Sequence, residues 1–312
     1  MTITKGFADE AATSPTSPIV HLDDIGKSYG NVHALRGVSM AVRQGEITCV
    51  LGDNGAGKST LIKIVSGLHD YTAGTMSVNG EERHFSSPRE SMDSGIATVY
   101  QDLALAPLMS VWRNFFLGNE IMKSTRLTKF VPTGALGTLD AAQMKRVARD
   151  ELTKMGISIP NLEQPVGMLS GGQRQCIAIA RAIYFGAKVL ILDEPTAALG
   201  VNQSGVVLKY IVKARDAGLG VVFITHNPHH AYLVGNHFVV LKLGRVALDT
   251  HRADITLEQL TNEMAGGAEL EALSHELRGI DAGAVVSPAT VTGPIESPLG
   301  SAEPLESLEK ND

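Results

Sequence analysis

The sequence predicts an α/β protein with a mostly parallel sheet, a small antiparallel β subdomain and an inserted helical subdomain. The central observation is that residues 52–60, GDNGAGKST, fit the phosphate-loop pattern G-x-x-x-x-G-K-[ST] at every fixed position. An apolar segment at 46–51 precedes the loop and a helix-like segment at 61–67 follows it, which is the context that the pattern requires. Apolar runs at 189–192 and 220–224 separate helical segments, as in a parallel sheet covered on both faces.

The glycine-rich loop is expected to bind a nucleotide. Glycine lets backbone N–H groups approach a phosphate closely, and the following helix N-terminus adds partial positive charge. We expect Lys58 to hold the β- and γ-phosphates and the Ser59 hydroxyl to bind Mg²⁺. A glycine-rich turn that binds nothing is the structural alternative. The predicted cofactor-binding residues of the loop are Gly52, Asp53, Asn54, Gly55, Ala56, Gly57, Lys58, Ser59 and Thr60.

The first half of the chain predicts a sheet beside this loop. Residues 1–18 contain Thr, Ser and Pro and are expected to be disordered. Strands near 19–22 and 38–42, with a hairpin at the Asn79-Gly80 turn, predict the small antiparallel sheet. Another strand, at 95–100, ends at Gln101.

A helical subdomain is predicted at 101–175, where strand signals fade. Helical patterns at 111–120 and 140–155 flank a basic, irregular segment at 123–137. The P-loop NTPase core that the phosphate-loop pattern predicts then consists of the two ranges on either side, 19–100 and 176–265.

The second part of the core predicts alternating helices and strands. Helices are expected at 172–187 and 207–217, and a hairpin around Gly244 closes the sheet. Residues 266–312 form an acidic, largely disordered tail that is rich in Pro, Ser, Gly and Glu. It is either a solvated end or a regulatory contact.

Composition limits the class of protein. The chain has 312 residues, 44% of them hydrophobic and 19% charged, as expected of a soluble globular protein with a core. No apolar run reaches about 18 residues, and the N-terminus lacks a signal peptide, so a cytosolic protein is expected.

Cys49 and Cys176 lie in apolar segments and are interpreted as core thiols. The net charge of −6 comes from the tail, so nucleic acid is not an expected partner.

Two carboxylates follow a buried strand at Asp193-Glu194-Pro195. Carboxylates at the end of a parallel strand face the crevice where α/β sheets bind ligands. Asp193 is the expected Mg²⁺ ligand and Glu194 the expected general base that polarises an attacking water. An ordinary acidic turn is the alternative.

The third motif is Leu169-Ser170-Gly171-Gly172-Gln173-Arg174-Gln175. A serine and two glycines at a helix start can bind an anion. An ordinary capped helix remains the alternative.

In order and spacing, the three motifs resemble those of the ATP-binding subunits of ATP-binding-cassette (ABC) transporters, over roughly residues 19–265. The resemblance implies an ATPase with ATP and Mg²⁺ as cofactors. It implies that Tyr29 stacks on adenine, although a packed core tyrosine is as consistent with the sequence. The resemblance also implies that Gln101 contacts Mg²⁺ and the attacking water, and that His226 contacts the γ-phosphate. The residues expected to close over ATP bound to a second copy are Ser170, Gly171, Gly172 and Gln173.

One position departs from the family pattern. Many members have, where this chain has Gly200, an aspartate that crosses the dimer interface. Coupling of the two ATP sites through such an aspartate is therefore not expected here. Segments 52–55, 116–120 and 198–201 resemble a monosaccharide-import subgroup of the fructose and ribose type. Many sugar ATPases of this subgroup carry two fused cassettes, whereas this chain has one copy of each motif and is too short for two. A homodimer on the cytoplasmic face of the membrane is therefore expected. Its partners would be a transmembrane sugar permease and, indirectly, an extracytoplasmic sugar-binding protein.

Other functions remain open at this stage. An ABC ATPase could serve another substrate or an exporter, because no residue here is expected to touch the sugar. A soluble ABC protein acting on ribosomes or DNA usually has paired cassettes or coiled-coil arms, which this chain lacks. A kinase or GTPase would leave residues 169–175 without a role, and a guanine-reading Asn-Lys-x-Asp element is absent.

Overall fold

The computed structural model describes residues 17–123 and 138–265. Within these ranges the strands are β1 (Val20–Tyr29), β2 (Val32–Val42), β3 (Ile47–Leu51), β4 (Ala73–Val78), β5 (Glu81–Glu82), β6 (Ile96–Val99), β7 (Val189–Asp193), β8 (Gly220–Thr225), β9 (His237–Lys242) and β10 (Arg245–His251). The helices are α1 (Lys58–Val65), α2 (Pro88–Asp93), α3 (Val111–Phe116), α4 (Ala141–Lys154), α5 (Gly171–Tyr184), α6 (Val201–Asp216), α7 (Pro228–Val234) and α8 (Leu257–Met264). In this part of the chain, no helix combines the length and apolar character needed to cross a membrane.

The strands form two sheets, which confirms the predicted α/β fold. A six-stranded sheet has the order β10-β9-β3-β8-β7-β6, in which every pair is parallel except the β9–β10 hairpin. A four-stranded antiparallel sheet has the order β2-β1-β4-β5, with the predicted turn at Asn79-Gly80 between its last two strands.

The central strands are buried because apolar layers cover both faces of the larger sheet. Alternate residues of β3 point to opposite layers: Ile47, Cys49 and Leu51 to one, and Val50 to the other. One layer contains α5 and α6, and the second contains α1 and the antiparallel sheet. Cys176 also lies in the first layer, so the interpretation of both cysteines as core thiols is confirmed.

This topology gathers the ends of several strands at one edge. Since β3, β6, β7 and β8 are parallel, their carboxyl ends meet there. The segments that follow these strands are the phosphate loop, Gln101, the Asp193-Glu194 pair and His226. The predicted site residues on separate strands are therefore neighbours in space.

Buried Asn114 holds the segment that follows Gln101 in place. Its Oδ1 accepts from the Ala106 N–H at 2.8 Å, and its Nδ2 donates to the carbonyls of Ala106, Met109 and Ser110 at 3.0–3.2 Å. The side chain thus satisfies the backbone of an irregular loop inside the fold.

Some predicted helix limits are wrong. The helix α3 ends at Phe116 rather than at residue 120, because Leu117 leaves the helical region and Gly118 adopts a φ of +83°. The helix α6 begins at Val201, six residues before the predicted start, since its first turn is polar and lacks an apolar period. Short helices α2 and α7 each begin with a proline after a capping residue, and the sequence analysis did not predict them.

The division into core and subdomain stays a prediction. The predicted boundary at 175/176 falls within α5, so that helix spans both predicted regions. The N-terminal residues 1–16, the basic stretch 124–137 and the tail from 266 onward lie outside the described residues.

Candidate functional site

Glycine is required at two positions of the phosphate loop. Gly52, directly after β3, has a φ of +143°, and a Cβ atom there would lie 2.3 Å from the Leu241 carbonyl oxygen. Gly57 is the N-cap of α1 with a φ of +109°, and its Cβ would lie 2.7 Å from Cδ2 of Leu35. Both positions combine a left-handed backbone with a close neighbour, so a side chain would displace the loop.

The loop positions a buried cation at its centre. Lys58 is the first residue of α1, and its Nζ donates to the carbonyls of Gly52 at 2.6 Å and of Asp53 at 3.0 Å. Residues 53–55 and 57–60 line a pocket of about 330 Å³ together with residues from β2. A positive charge and a helix N-terminus in one pocket favour a phosphate-bearing ligand.

The first of the two carboxylates, Asp193, lies where its negative charge is unfavourable. Burial and the adjacent Glu194 raise the pKa of Asp193, while the charges of Lys58 and Lys63 oppose that shift. Glu194 has a φ of +48°, which is uncommon for a residue with a side chain. Strain of this kind persists where surrounding contacts impose it, and it concentrates at functional sites.

A histidine contacts the second carboxylate. His226, directly after β8, places Nδ1 3.0 Å from Oε1 of Glu194. The other carboxylate oxygen, Oε2, is buried and has no hydrogen-bond partner among the described residues. An acceptor that is buried and unpaired is poised to bind a proton donor such as a water molecule.

Gln101 and Glu194 line one pocket, of about 430 Å³, although they are far apart in sequence. Gly171 and Leu199 also line it, and a Cβ on Gly171 would lie 2.6 Å from Cδ2 of Leu199. The absence of a side chain at Gly171 thus lets α5 approach the segment that follows Glu194.

The Ser170 segment forms a capping box. Ser170 Oγ accepts from the Gln173 N–H at 3.2 Å, and Gln173 Oε1 accepts from the Ser170 N–H at 3.1 Å. Gly172 is buried in the first turn of α5, close to Gln203. Neither Ser170 nor Gln173 lines the phosphate-loop pocket, so one copy of the chain does not bring these two predicted anion sites together.

Tyr29 lies at the end of β1 and is 43% exposed, so the alternative of a packed core tyrosine is wrong. Its ring meets His69 edge-on at 5.8 Å between centroids, and the Lys27 ammonium lies 5.1 Å from the ring centroid. The exposed ring is available for stacking, although it does not line the phosphate-loop pocket.

A contact beside the carboxylates, between Thr196 and His230, was not predicted from the sequence. Thr196 is buried, and its Oγ1 lies 3.0 Å from Nδ1 of His230 on α7. Burial lowers the pKa of His230, and His229 and His226 add to this shift. The contact links the segment after Glu194 to the helix after His226. No sequence signal announces it, because neither residue belongs to a phosphate-binding pattern.

Packing does not require glycine at position 200, where the chain departs from the family pattern. Gly200 caps the N-terminus of α6 with a φ of −68°, and a Cβ built there meets no atom within 4 Å. An aspartate would fit the backbone at this position, so the glycine reflects no packing requirement.

Comparison with known proteins identifies close relatives. A family model described as "ABC transporter" matches residues 35–197. A xylose/arabinose import ATP-binding protein of Sulfolobus acidocaldarius is 40% identical over 252 residues, which cover 81% of this chain and 96% of the relative. A fructose import ATP-binding protein of Rhizobium meliloti is 42% identical over 253 residues, which cover 81% and 95%. A ribose import ATP-binding protein of Bacillus subtilis is 34% identical, and the match spans about half of it, 48%.

Solved structures share the fold. A nucleotide-free ATP-binding cassette from an ABC transporter has a TM-score of 0.64 at 24% identity, covering 75% of this chain and 91% of its own. A dimeric post-hydrolysis state of the cassette MJ0796 bound to ADP and Pi has a TM-score of 0.60 at 26% identity, covering 75% and 98%.

We predict that Asp193→Asn stabilises the nucleotide-free protein at neutral pH. Because the folded-state pKa of Asp193 is raised, its ionised form costs stability above the ordinary aspartate pKa, and that cost disappears as falling pH protonates the carboxyl. Thermal unfolding in EDTA at several pH values should therefore show a higher Tm for the variant at pH 8 and a smaller difference at pH 5. The exposed Asp254→Asn is the control. A variant Tm equal to or below that of the wild type at pH 8 would contradict the assigned burial cost.

Proposed function

The chain belongs to the ATP-binding subunits of ABC transporters, and we propose that it hydrolyses ATP to energise the import of a monosaccharide through a membrane permease. The relatives named above are ATP-binding proteins for the import of xylose or arabinose, of fructose and of ribose, which supports the sugar class. The observation that carries the hydrolytic role is the Glu194–His226 pair at the sheet edge that holds the phosphate loop.

Mg²⁺ fits the residues at this edge. The oxygens of Ser59, Gln101 and Asp193 are hard donors of the kind that Mg²⁺ prefers. No cluster of three His, Cys, Asp or Glu side chains suited to a metal occurs in the described ranges. A site with few protein ligands suits a cation that arrives with nucleotide phosphates. The cation would neutralise charge on the phosphates and ease the buried charge of Asp193.

The proposed chemistry assigns a role to each group. Lys58 binds the terminal phosphates from within the loop, and the backbone N–H groups at the start of α1 bind their oxygens. Glu194 accepts a hydrogen bond from the attacking water and polarises it as general base. His226 orients Glu194 through its 3.0 Å contact and reaches the γ-phosphate, and Gln101 contacts the same water.

A second copy of the chain would complete each site. Ser170 and Gln173 lie away from the phosphate-loop pocket of their own chain, so we infer that they bind the γ-phosphate held by the other copy. ATP then favours the closed pair, because only ATP contacts both chains, and hydrolysis removes that preference. One structural relative, the cassette MJ0796, is itself a dimer.

An apolar groove further along α5, toward its C-terminal end, fits the permease. Its volume is about 260 Å³, and β6, the edge strand of the large sheet, lines it together with Ala178, Ala182 and Phe185 of the α5 region. Leu103 and Asp102, next to Gln101, line the same groove. A short permease helix seated there would sense the γ-phosphate through Gln101. The chain would then be peripheral on the cytoplasmic face, with an extracytoplasmic sugar-binding protein as indirect partner.

Glu194→Gln tests the function. With its permease and sugar-binding protein in proteoliposomes, the wild-type chain should hydrolyse ATP faster when a pentose or hexose is present. The variant should bind ATP but lose about 100-fold or more in turnover, because an amide cannot act as base. Phosphate release measures the rates, and the exposed Glu258→Gln is the control.

Equal turnover by Glu194→Gln would remove Glu194 from the role of base. ATP hydrolysis that a panel of monosaccharides leaves unchanged, but that another solute stimulates, would replace the sugar with that solute.

Ala182→Glu tests the groove. A carboxylate placed in an apolar groove opposes docking of an apolar helix, since its desolvation is costly. We expect isolated ATPase activity within about twofold of the wild type and uptake of radiolabelled sugar reduced by about tenfold or more. The control is Ala142→Glu, on the exposed surface of α4. Normal uptake by a folded Ala182→Glu variant would exclude this groove as the docking site.

A further inference from the structure

The turn between β9 and β10 contains a leucine that the fold itself does not favour. Leu243 has a φ of +47°, in the left-handed region where Gly, Asn and Asp are the usual residues. Its side chain is also 80% exposed to solvent. Backbone strain and an exposed apolar side chain both disfavour leucine here, so its presence calls for a contact outside this chain's own core.

Backbone hydrogen bonds fix this turn against the phosphate loop. The Gly244 N–H donates to the Ala56 carbonyl at 3.0 Å, and the Arg36 N–H donates to the Gly244 carbonyl at 2.8 Å. A Cβ on Gly244 would lie 2.6 Å from the Ala34 carbonyl oxygen, so the turn and β2 are in close contact. Leu243 is therefore held at a defined place beside the loop.

Leu243 lines the phosphate-loop pocket itself. The other residues around it are the loop, the start of α1 and four residues of β2, among them Val32, which is 66% exposed. The loop and Lys58 form the polar part of this pocket, where a triphosphate would bind. Val32 and Leu243 give it apolar surface that suits the ribose and base of a nucleotide rather than its phosphates.

We propose that Leu243 is a nucleotide-binding residue that packs against the nucleoside portion of ATP. Binding buries an apolar side chain that the free protein exposes, and that gain offsets the strain of the turn. The turn thus forms a wall of the site, contributed by the strand hairpin that closes the sheet. This inference rests on the proposed ATPase function.

Leu243→Asn separates this role from a structural one. Asparagine tolerates the left-handed region and is polar, so it should stabilise the nucleotide-free turn. The same change removes the apolar contact with the nucleoside. A residue with a purely structural role could not raise stability and lower nucleotide affinity together.

The experiment measures both quantities on the full-length chain. Equilibrium dialysis with radiolabelled ATP in EDTA, at a protein concentration where the chain is monomeric, gives Kd, and calorimetry without nucleotide gives Tm. We expect Leu243→Asn to raise Kd for ATP by about three- to tenfold and to raise Tm by ~1–4 °C. The control, Leu233→Asn on α7, changes another leucine that is exposed (67%) but does not line the pocket, and should leave Kd unchanged.

A Kd for Leu243→Asn equal to that of the wild type would overturn the inference, as would a lower Tm accompanied by weaker binding. Loss of dimerisation with unchanged monomer affinity would also overturn it, because Leu243 would then contact the second copy. Failure of the proposed function is distinguishable, since the wild-type chain itself would then not bind ATP.

Discussion

The parallel pairing of β3, β8, β7 and β6 is the constraint on which the rest of the structure depends. It brings the carboxyl ends of four strands to one edge, so residues up to about 170 positions apart in sequence become neighbours. Apolar layers on both faces bury the strands and fix their register, so the site is formed by the loops that follow the strands. Chemistry at that edge then depends on which residue directly follows each strand.

Those residues place charged and unpaired polar groups in buried positions, which is electrostatically unfavourable. Burial and Glu194 raise the pKa of Asp193, Oε2 of Glu194 is buried without a partner in the described chain, and the Lys58 ammonium is buried within the loop. Glu194 also carries a strained backbone. A cation with a triphosphate would satisfy the carboxylates and the ammonium together, which is consistent with the proposed nucleotide site. Leu243 is likewise unfavourable without a ligand, because its apolar side chain is exposed to solvent.

Local patterns predicted the elements whose physics is local. The loop glycines, the buried strands before Gly52 and Asp193, and the hairpin at Asn79-Gly80 all follow from neighbouring residues, and the structure contains them. Features set by distant contacts could not be predicted. The Thr196–His230 contact requires α7 to pack beside the segment that follows Glu194, and the position of Leu243 requires the last hairpin to hydrogen-bond to the phosphate loop. The start of α6 at Val201 was not predictable because its first turn partly faces solvent and therefore shows no apolar periodicity.

The central claim is that ATP joins two copies of this chain and that its hydrolysis releases them. Light scattering of Glu194→Gln with Mg-ATP measures this most directly, because the variant should hold ATP without consuming it. We expect the mass of two chains with Mg-ATP and of one chain with Mg-ADP. A monomer in saturating Mg-ATP would contradict the account.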